Sequence, residues 1–274
     1  MASCNHDCEH CASNCGERIS EPEKFSANGN IKNIIGIVSG KGGVGKSLIT
    51  GLLASEMNKK NFKTAILDAD ITGPSIPKMF GIYESVLSDG HFIQPAKSKN
   101  GTKIISMNLC LQNEGEPVVW RGPVLAGVVR QFYEEVDWAD VDYMFVDMPP
   151  GTGDVPLTVF QSLPLKGIII VTTPQELVSM IVSKAVNMAN IMSIPVLGLV
   201  ENMSYFECPD CHKRHYIFGE SRLKEIADGF GIKATAQLPI IPGLADFCDE
   251  GNIESFDAEK YLSSLTSYLL LPNS

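Results

Sequence analysis

Residues 34–47 read Ile34-Ile-Gly-Ile-Val-Ser-Gly-Lys-Gly-Gly-Val-Gly-Lys-Ser47, and this stretch decides the fold. Its first five residues are all apolar or glycine, as in a strand buried on both faces. Gly40-Lys41-Gly42-Gly43-Val44-Gly45-Lys46-Ser47 then fits the phosphate-binding pattern G-x-x-x-x-G-K-[ST]. A helical run over 46–60 follows directly, which completes the strand–loop–helix context that this chemistry needs. The glycines let backbone N–H groups turn inward around phosphates, free of Cβ obstruction. The helix N-terminus adds a partial positive charge. Lys46 is expected to reach the β- and γ-phosphates of ATP, and the Ser47 hydroxyl to ligate Mg²⁺.

Further apolar runs at 64–67, 103–107, 143–146, 167–172, 196–200 and 234–238 alternate with helical stretches near 46–60, 123–136, 175–192, 219–229 and 242–250. The alternation predicts an α/β fold: a P-loop NTPase with a mostly parallel central sheet flanked by helices on both faces. The region 85–118 reads as a more irregular insertion. A last helix over 257–271 places Leu262, Leu265 and Leu269 at helical spacing. Lys260 is its one basic residue, so it is expected to pack on the domain rather than on a membrane. In a parallel sheet the C-terminal strand ends share one crevice with the loop. Tyr143-Met-Phe-Val-Asp147 therefore brings Asp147 to the magnesium site, with Asp68 supporting the metal shell and Asp70 positioned to activate the attacking water. Asp154 is read either as a helix N-cap or as part of a loop sensing the γ-phosphate.

The chain has 274 residues, 22 Lys+Arg against 32 Asp+Glu, and a formal charge of −10. That balance argues against tight nucleic-acid binding, which needs clustered Lys and Arg. No apolar run is long enough to span a membrane and no signal peptide is seen, so the chain is expected to be cytoplasmic. Disulfides are then not expected, and the eight cysteines need another explanation. Cys4, Cys8, Cys11 and Cys15 crowd residues 1–30, a Cys-rich segment too polar to bury a core and expected to be flexible until it binds metal. Residues 31–274 form the ATPase domain. Four thiolates within twelve residues suit an iron–sulfur cluster, with zinc aided by His6 or His10 as the alternative. Cys208-Pro-Asp-Cys211 brings two more soft ligands together. Two ligands do not complete a tetrahedral site, whereas a symmetric homodimer supplies four. A single-chain zinc site with His212 and His215 is the competing reading. Cys110 and Cys248 are expected to be packed residues.

The extra lysine, Lys41, makes the loop resemble that of the deviant-Walker-A ATPases, K-G-G-x-G-K-[ST]. That family includes the MinD and ParA partitioning ATPases, the nitrogenase iron protein and the Mrp/NBP-type iron–sulfur carriers. Leu67-Asp-Ala-Asp-Ile-Thr-Gly-Pro-Ser-Ile-Pro77, Trp120-Arg-Gly-Pro123, Asp147-Met-Pro-Pro-Gly-Thr-Gly-Asp154, Val171-Thr-Thr-Pro-Gln175 and Pro195-Val-Leu-Gly-Leu-Val-Glu-Asn-Met-Ser204 are similar to the Mrp/NBP branch, as is Cys208-Pro-Asp-Cys211. The resemblance implies a homodimeric ATPase that binds a [4Fe–4S] cluster and delivers it to apo iron–sulfur proteins, in contact with the assembly machinery. It implies that Lys41 reaches the partner's nucleotide, that Asn202 reads the adenine, that Pro239 lies beside the base, and that Cys208 and Cys211 hold a bridging cluster. NBP-type relatives carry a ferredoxin-like N-terminal cysteine set with a longer first spacing than this chain. The alternative is a spatial-organisation ATPase of the MinD/ParA kind with structural zinc, which would bind membrane or DNA.

Overall fold

The apolar runs lie side by side in one sheet. A computed structural model describes residues 26–70, 75–86, 92–110, 122–151, 154–175 and 178–271. Among these the strands are β1 (Gly29–Val38), β2 (Thr64–Asp68), β3 (Ala96–Lys97), β4 (Lys103–Ser106), β5 (Ala139–Asp147), β6 (Gly167–Thr172), β7 (Val196–Glu201), β8 (Phe206–Glu207), β9 (Arg214–His215) and β10 (Ala234–Gln237). The helices are α1 (Lys46–Lys59), α2 (Ile76–Met79), α3 (Gly122–Glu135), α4 (Asp154–Ser162), α5 (Val178–Ile191), α6 (Leu223–Phe230), α7 (Leu244–Asp249) and α8 (Glu259–Leu269). The main sheet has the order β10-β7-β6-β1-β5-β2-β4-β3, parallel throughout except for the short edge strand β3. β8 and β9 form a separate antiparallel hairpin.

Alternation along each strand divides the core between two faces. Ile34 and Val38 of β1, Met144 and Val146 of β5, and Ile168 and Ile170 of β6 join one apolar cluster with Val129, Phe132 and Val182 of α3 and α5. Their neighbours Ile35, Ile37, Tyr143, Phe145, Ile169 and Val171 join the opposite cluster with Leu52 and Leu53 of α1 and Leu262 and Leu265 of α8. Phe145 is fully buried, so Phe145→Ala would cost about 3–5 kcal/mol through lost transfer energy and the cavity left behind. The final helix packs on the domain as expected, and the Tyr143 hydroxyl donates to the Leu269 carbonyl at 2.9 Å.

The structure adds elements that periodicity did not give. β1 begins at Gly29: its polar first half is exposed or half-buried, and pairing with Ala139–Val141 of β5 makes it a strand. α4 contains Pro156, which reads as a breaker but is tolerated in a first helical turn. The expectation that Cys110 is packed is corrected: it is exposed at the end of a 3₁₀ turn, with its Sγ 3.7 Å from the Ser106 carbonyl. Cys248 is half-buried against the second cluster.

Candidate functional site

β1 is central in the sheet, and its C-terminal end delivers the chain into the loop 39–45. Gly43 (φ 78°) and Gly45 (φ 84°) take left-handed backbone that side chains disfavour, and Gly45 leads straight into α1. A Cβ on Gly42 or Gly43 would meet only open space, which leaves room above the loop for a phosphate. Lys46 opens α1 and is buried. Its Nζ lies 2.8 Å from Asp147 Oδ1 and 3.3 Å from Asp70 Oδ2. Ser47 Oγ donates to Asp147 Oδ2 at 2.5 Å, and Thr50 Oγ1, one turn further on, lies 2.9 Å from Oδ1. Lys46, Ser47, Asp70 and Asp147 are thus brought together.

Asp68 and Asp147 occupy paired register positions on β2 and β5, one strand spacing apart. Both are buried, at 2% and 0% exposure, so their charges are expensive to maintain. Burial raises the pKa of Asp68 well above the usual carboxylate value and the Asp147 carboxylate raises it further; Lys46 and the Ser106 hydroxyl, which donates at 2.9 Å, oppose this. Burial also raises the pKa of Asp147, opposed by Lys46 and by the hydroxyls of Ser47 and Thr50. Asp70 turns back on Asp68 through a 3.1 Å bond from its backbone N–H. Two adjacent buried acids compensated chiefly by one lysine suit a site for a divalent cation sharing oxygens with a nucleotide. Ser39 Oγ and Thr173 Oγ1, at the ends of β1 and β6, are buried without a hydrogen-bond partner among the described residues, as polar groups awaiting a ligand would be.

Asn202 follows β7 and is buried; its Nδ2 donates to the Val44 carbonyl at 2.9 Å, tying this strand end to the phosphate loop. Pro239 follows β10 beside it in the sheet. Lys41 donates to the Gln175 side chain. Sequence reasoning did not single out Thr50 or Gln175 as site residues. Thr50 was detectable in principle, since a residue four after Lys46 shares its helix face. The N-terminal Cys4, Cys8, Cys11 and Cys15 lie outside the described residues, as do Thr72, Arg121 and residues 152–153 before Asp154.

Cys208 and Cys211 lie in the turn of the β8–β9 hairpin. The backbone closes through Cys208 N–H to the Lys213 carbonyl at 3.0 Å and His212 N–H to the Cys208 carbonyl at 2.9 Å, with His212 at φ 56°. The N–H groups of Cys211 and Asp210 and the Cys211 thiol hydrogen-bond to Cys208 and lower its pKa from the ordinary thiol value, which favours a ligating thiolate. Among the described residues no three His, Cys, Asp or Glu side chains gather to hold a metal. The hairpin is exposed from Glu207 onward apart from the half-exposed Cys208.

A family model described as the NUBPL iron-transfer P-loop NTPases, of the ParA group, matches residues 30–269. This chain belongs to that family. It is 46% identical over 275 residues to an iron–sulfur cluster carrier protein of Clostridium perfringens, covering 96% of each chain. It is 40% identical over 260 residues to the iron–sulfur cluster carrier protein of Methanocaldococcus jannaschii, covering 92% of this chain and 90% of the other. A solved nucleotide-binding protein from Archaeoglobus fulgidus, in complex with ADP and with cobalt detected, superposes with a TM-score of 0.76 at 41% identity over 83% of this chain and 89% of that one. The MinD cell division protein of Aquifex aeolicus superposes with a TM-score of 0.60 at 19% identity over 88% of this chain and 100% of that one, and shares the fold.

Proposed function

We infer that this chain is an ATP-hydrolysing carrier that binds an iron–sulfur cluster and transfers it to apoproteins. The observation that carries this reading is one two-cysteine hairpin, exposed and short of ligands, rooted beside a complete phosphate loop. Lys46 holds the β- and γ-phosphates, the loop 40–47 cradles them, and Asn202 and Pro239 flank the base. Ser47, Asp147 and Asp68 would hold Mg²⁺, which supplies neutralising charge at the phosphates. Asp70 orients the attacking water. Cys208 and Cys211 supply half of the ligands for a [4Fe–4S] cargo, and a second copy supplies the rest across a two-fold axis, where Lys41 reaches the partner's nucleotide. Cys4, Cys8, Cys11 and Cys15 form a second thiolate set on the segment preceding the domain. No described helix is long and apolar enough to cross a membrane, and we place the carrier in the cytoplasm.

Anaerobic reconstitution of the full chain tests this. We expect absorbance near ~400 nm from thiolate-to-iron charge transfer, and loss of cluster donation to an apo-ferredoxin in Cys208→Ala and Cys211→Ala. Deletion of residues 1–30 should remove part of the iron and sulfide while nucleotide binding persists. A colourless protein holding zinc at Cys208 would overturn the reading.

A further inference from the structure

The cysteine hairpin lies in the excursion between β7 and α6; at its start Ser204 bonds the buried Glu201 directly, and at its end Ser221 is joined to Glu201 through the Gln237 amide. Glu201, the last residue of β7, is 1% exposed. Its Oε1 accepts from Ser204 Oγ at 2.6 Å and from Gln237 Nε2 at 3.2 Å. The Gln237 amide also lies 3.2 Å from Ser204 Oγ and donates to Ser221 Oγ at 2.7 Å. Ser221 Oγ in turn accepts from the Leu223 backbone N–H at the start of α6. Among the described residues no lysine, arginine or histidine pairs with Glu201, so these neutral donors are what satisfy its oxygen.

The backbone repeats the connection. Leu238 N–H donates to the Glu201 carbonyl at 2.9 Å, Ser204 N–H to the Leu238 carbonyl at 2.8 Å, and Ile240 N–H to the Tyr205 carbonyl at 2.7 Å. Phe206, where the hairpin starts, bridges to Ile240. Next to Glu201 in the chain, Asn202 grips the phosphate loop through Val44. One short segment therefore touches the nucleotide loop on one side and holds both roots of the metal-binding excursion on the other.

We propose that Ser204, Gln237 and Glu201 are positioning residues that couple nucleotide occupancy to metal affinity at Cys208 and Cys211. The proposal rests on the reading of those cysteines as metal ligands. Nucleotide contact shifts Asn202 and Val44; the Glu201 cluster passes the shift to both ends of the hairpin; and the geometry of the two thiols changes with it. By reciprocity, metal on the hairpin changes nucleotide affinity by the same factor.

The test titrates Co²⁺ into the full-length apo protein with Cys4, Cys8, Cys11 and Cys15 each replaced by Ser, the parent for this test, under anaerobic conditions, read by thiolate-to-cobalt absorbance, with and without a non-hydrolysable ATP analogue and Mg²⁺. A parallel titration reads the analogue's own affinity. In the parent protein the two Co²⁺ affinities should differ by about fivefold or more. In Ser204→Ala and in Gln237→Ala that ratio should fall towards one, while each ligand alone binds within about threefold of the parent; the double variant should lose no more coupling than either single, as for members of one network. Gln237 is exposed on an edge strand, so its variant keeps the fold even if Ser204→Ala does not. Glu201→Gln, which retains an acceptor of the same shape, should retain most of the coupling. An unchanged ratio in Gln237→Ala, or no coupling in a parent that binds both ligands, overturns the proposal alone. A parent that binds no Co²⁺ through Cys208 and Cys211 overturns the proposal together with the carrier reading.

Discussion

Gly45→Ala should cripple the phosphate loop by an amount the geometry fixes. Gly45 sits at φ 84°, and an alanine held there pays about 1–2 kcal/mol for left-handed backbone. The new Cβ would also collide with the Asn202 side-chain amide, whose 2.9 Å bond to the Val44 carbonyl must then break. A lost neutral hydrogen bond adds about 1 kcal/mol. The sum, about 2–3 kcal/mol, corresponds to roughly 30- to 150-fold weaker nucleotide binding if the unliganded loop relaxes. If it does not relax, the same energy appears as instability, at about 2–4 °C of melting temperature per kcal/mol for a domain of this size. Fluorescent-nucleotide titration and thermal unfolding together recover the total. Asn202→Ala removes the same hydrogen bond that Gly45→Ala breaks. In thermal unfolding the double variant should therefore be about as impaired as Gly45→Ala, with no second hydrogen-bond cost for Asn202, while its nucleotide affinity falls further by the lost base contact. Full additivity of the two singles in thermal unfolding, or a Gly45→Ala protein matching the parent in both assays, would overturn this account of the loop.

Three further outcomes are expected. Lys46→Ala should weaken nucleotide binding at least about tenfold by removing the charge-assisted contact to phosphate, as read by equilibrium titration. Asp70→Ala should instead lower the hydrolysis rate about 10²-fold or more with little change in nucleotide affinity, seen by phosphate release. Asp142→Ala should lower stability at pH 7 by about 1 kcal/mol, because Asp142 accepts from Lys32 Nζ at 2.7 Å and from the Lys63 N–H at 2.8 Å on a partly solvated surface. Those contacts depress the Asp142 pKa below its ordinary 3.8, the Lys32 hydrogen bond most. Stability from a depressed carboxyl is present above the unfolded pKa and is lost as pH falls through the folded one. The melting-temperature gap between parent and variant should accordingly narrow as pH falls below 3.8 and through the lowered folded-state pKa.

The phosphate loop was legible because its chemistry is local: eight consecutive residues carry it, and the adjoining strand and helix confirm their context. The buried strands were legible for a related reason, since Ile34–Val38 and 167–172 are apolar on both faces. Polar β1 residues such as Asn30 and Lys32 hid the strand's first half, which is exposed or half-buried where the second half is buried. The hairpin around Cys208 was hidden by length: two-residue strands carry no periodicity. What holds it is a set of contacts that no local pattern encodes, including the Arg214 guanidinium 4.4 Å over the Tyr205 ring and the N–H groups aimed at Cys208. The Glu201 cluster was least legible, because Ser204, Ser221 and Gln237 meet only when β10 pairs with β7.

Where each site sits in the sheet follows from what it must do. The phosphate loop leaves β1, which has strands on both sides and helices on both faces, so Lys46 and Asp147 are held rigidly and away from water. That suits electrostatic catalysis, in which fixed charges need no reorganisation as the reaction proceeds. The cysteine excursion leaves β7 next to the edge strand β10. Its two thiols are exposed or half-exposed. Ligand exchange requires an incoming thiolate to reach the metal, so access governs its rate. A cluster enclosed by four buried cysteines would be retained. On the proposed function, a cluster held by these exposed thiols beside a sheet edge would be open to capture by an acceptor, and a carrier needs that lability.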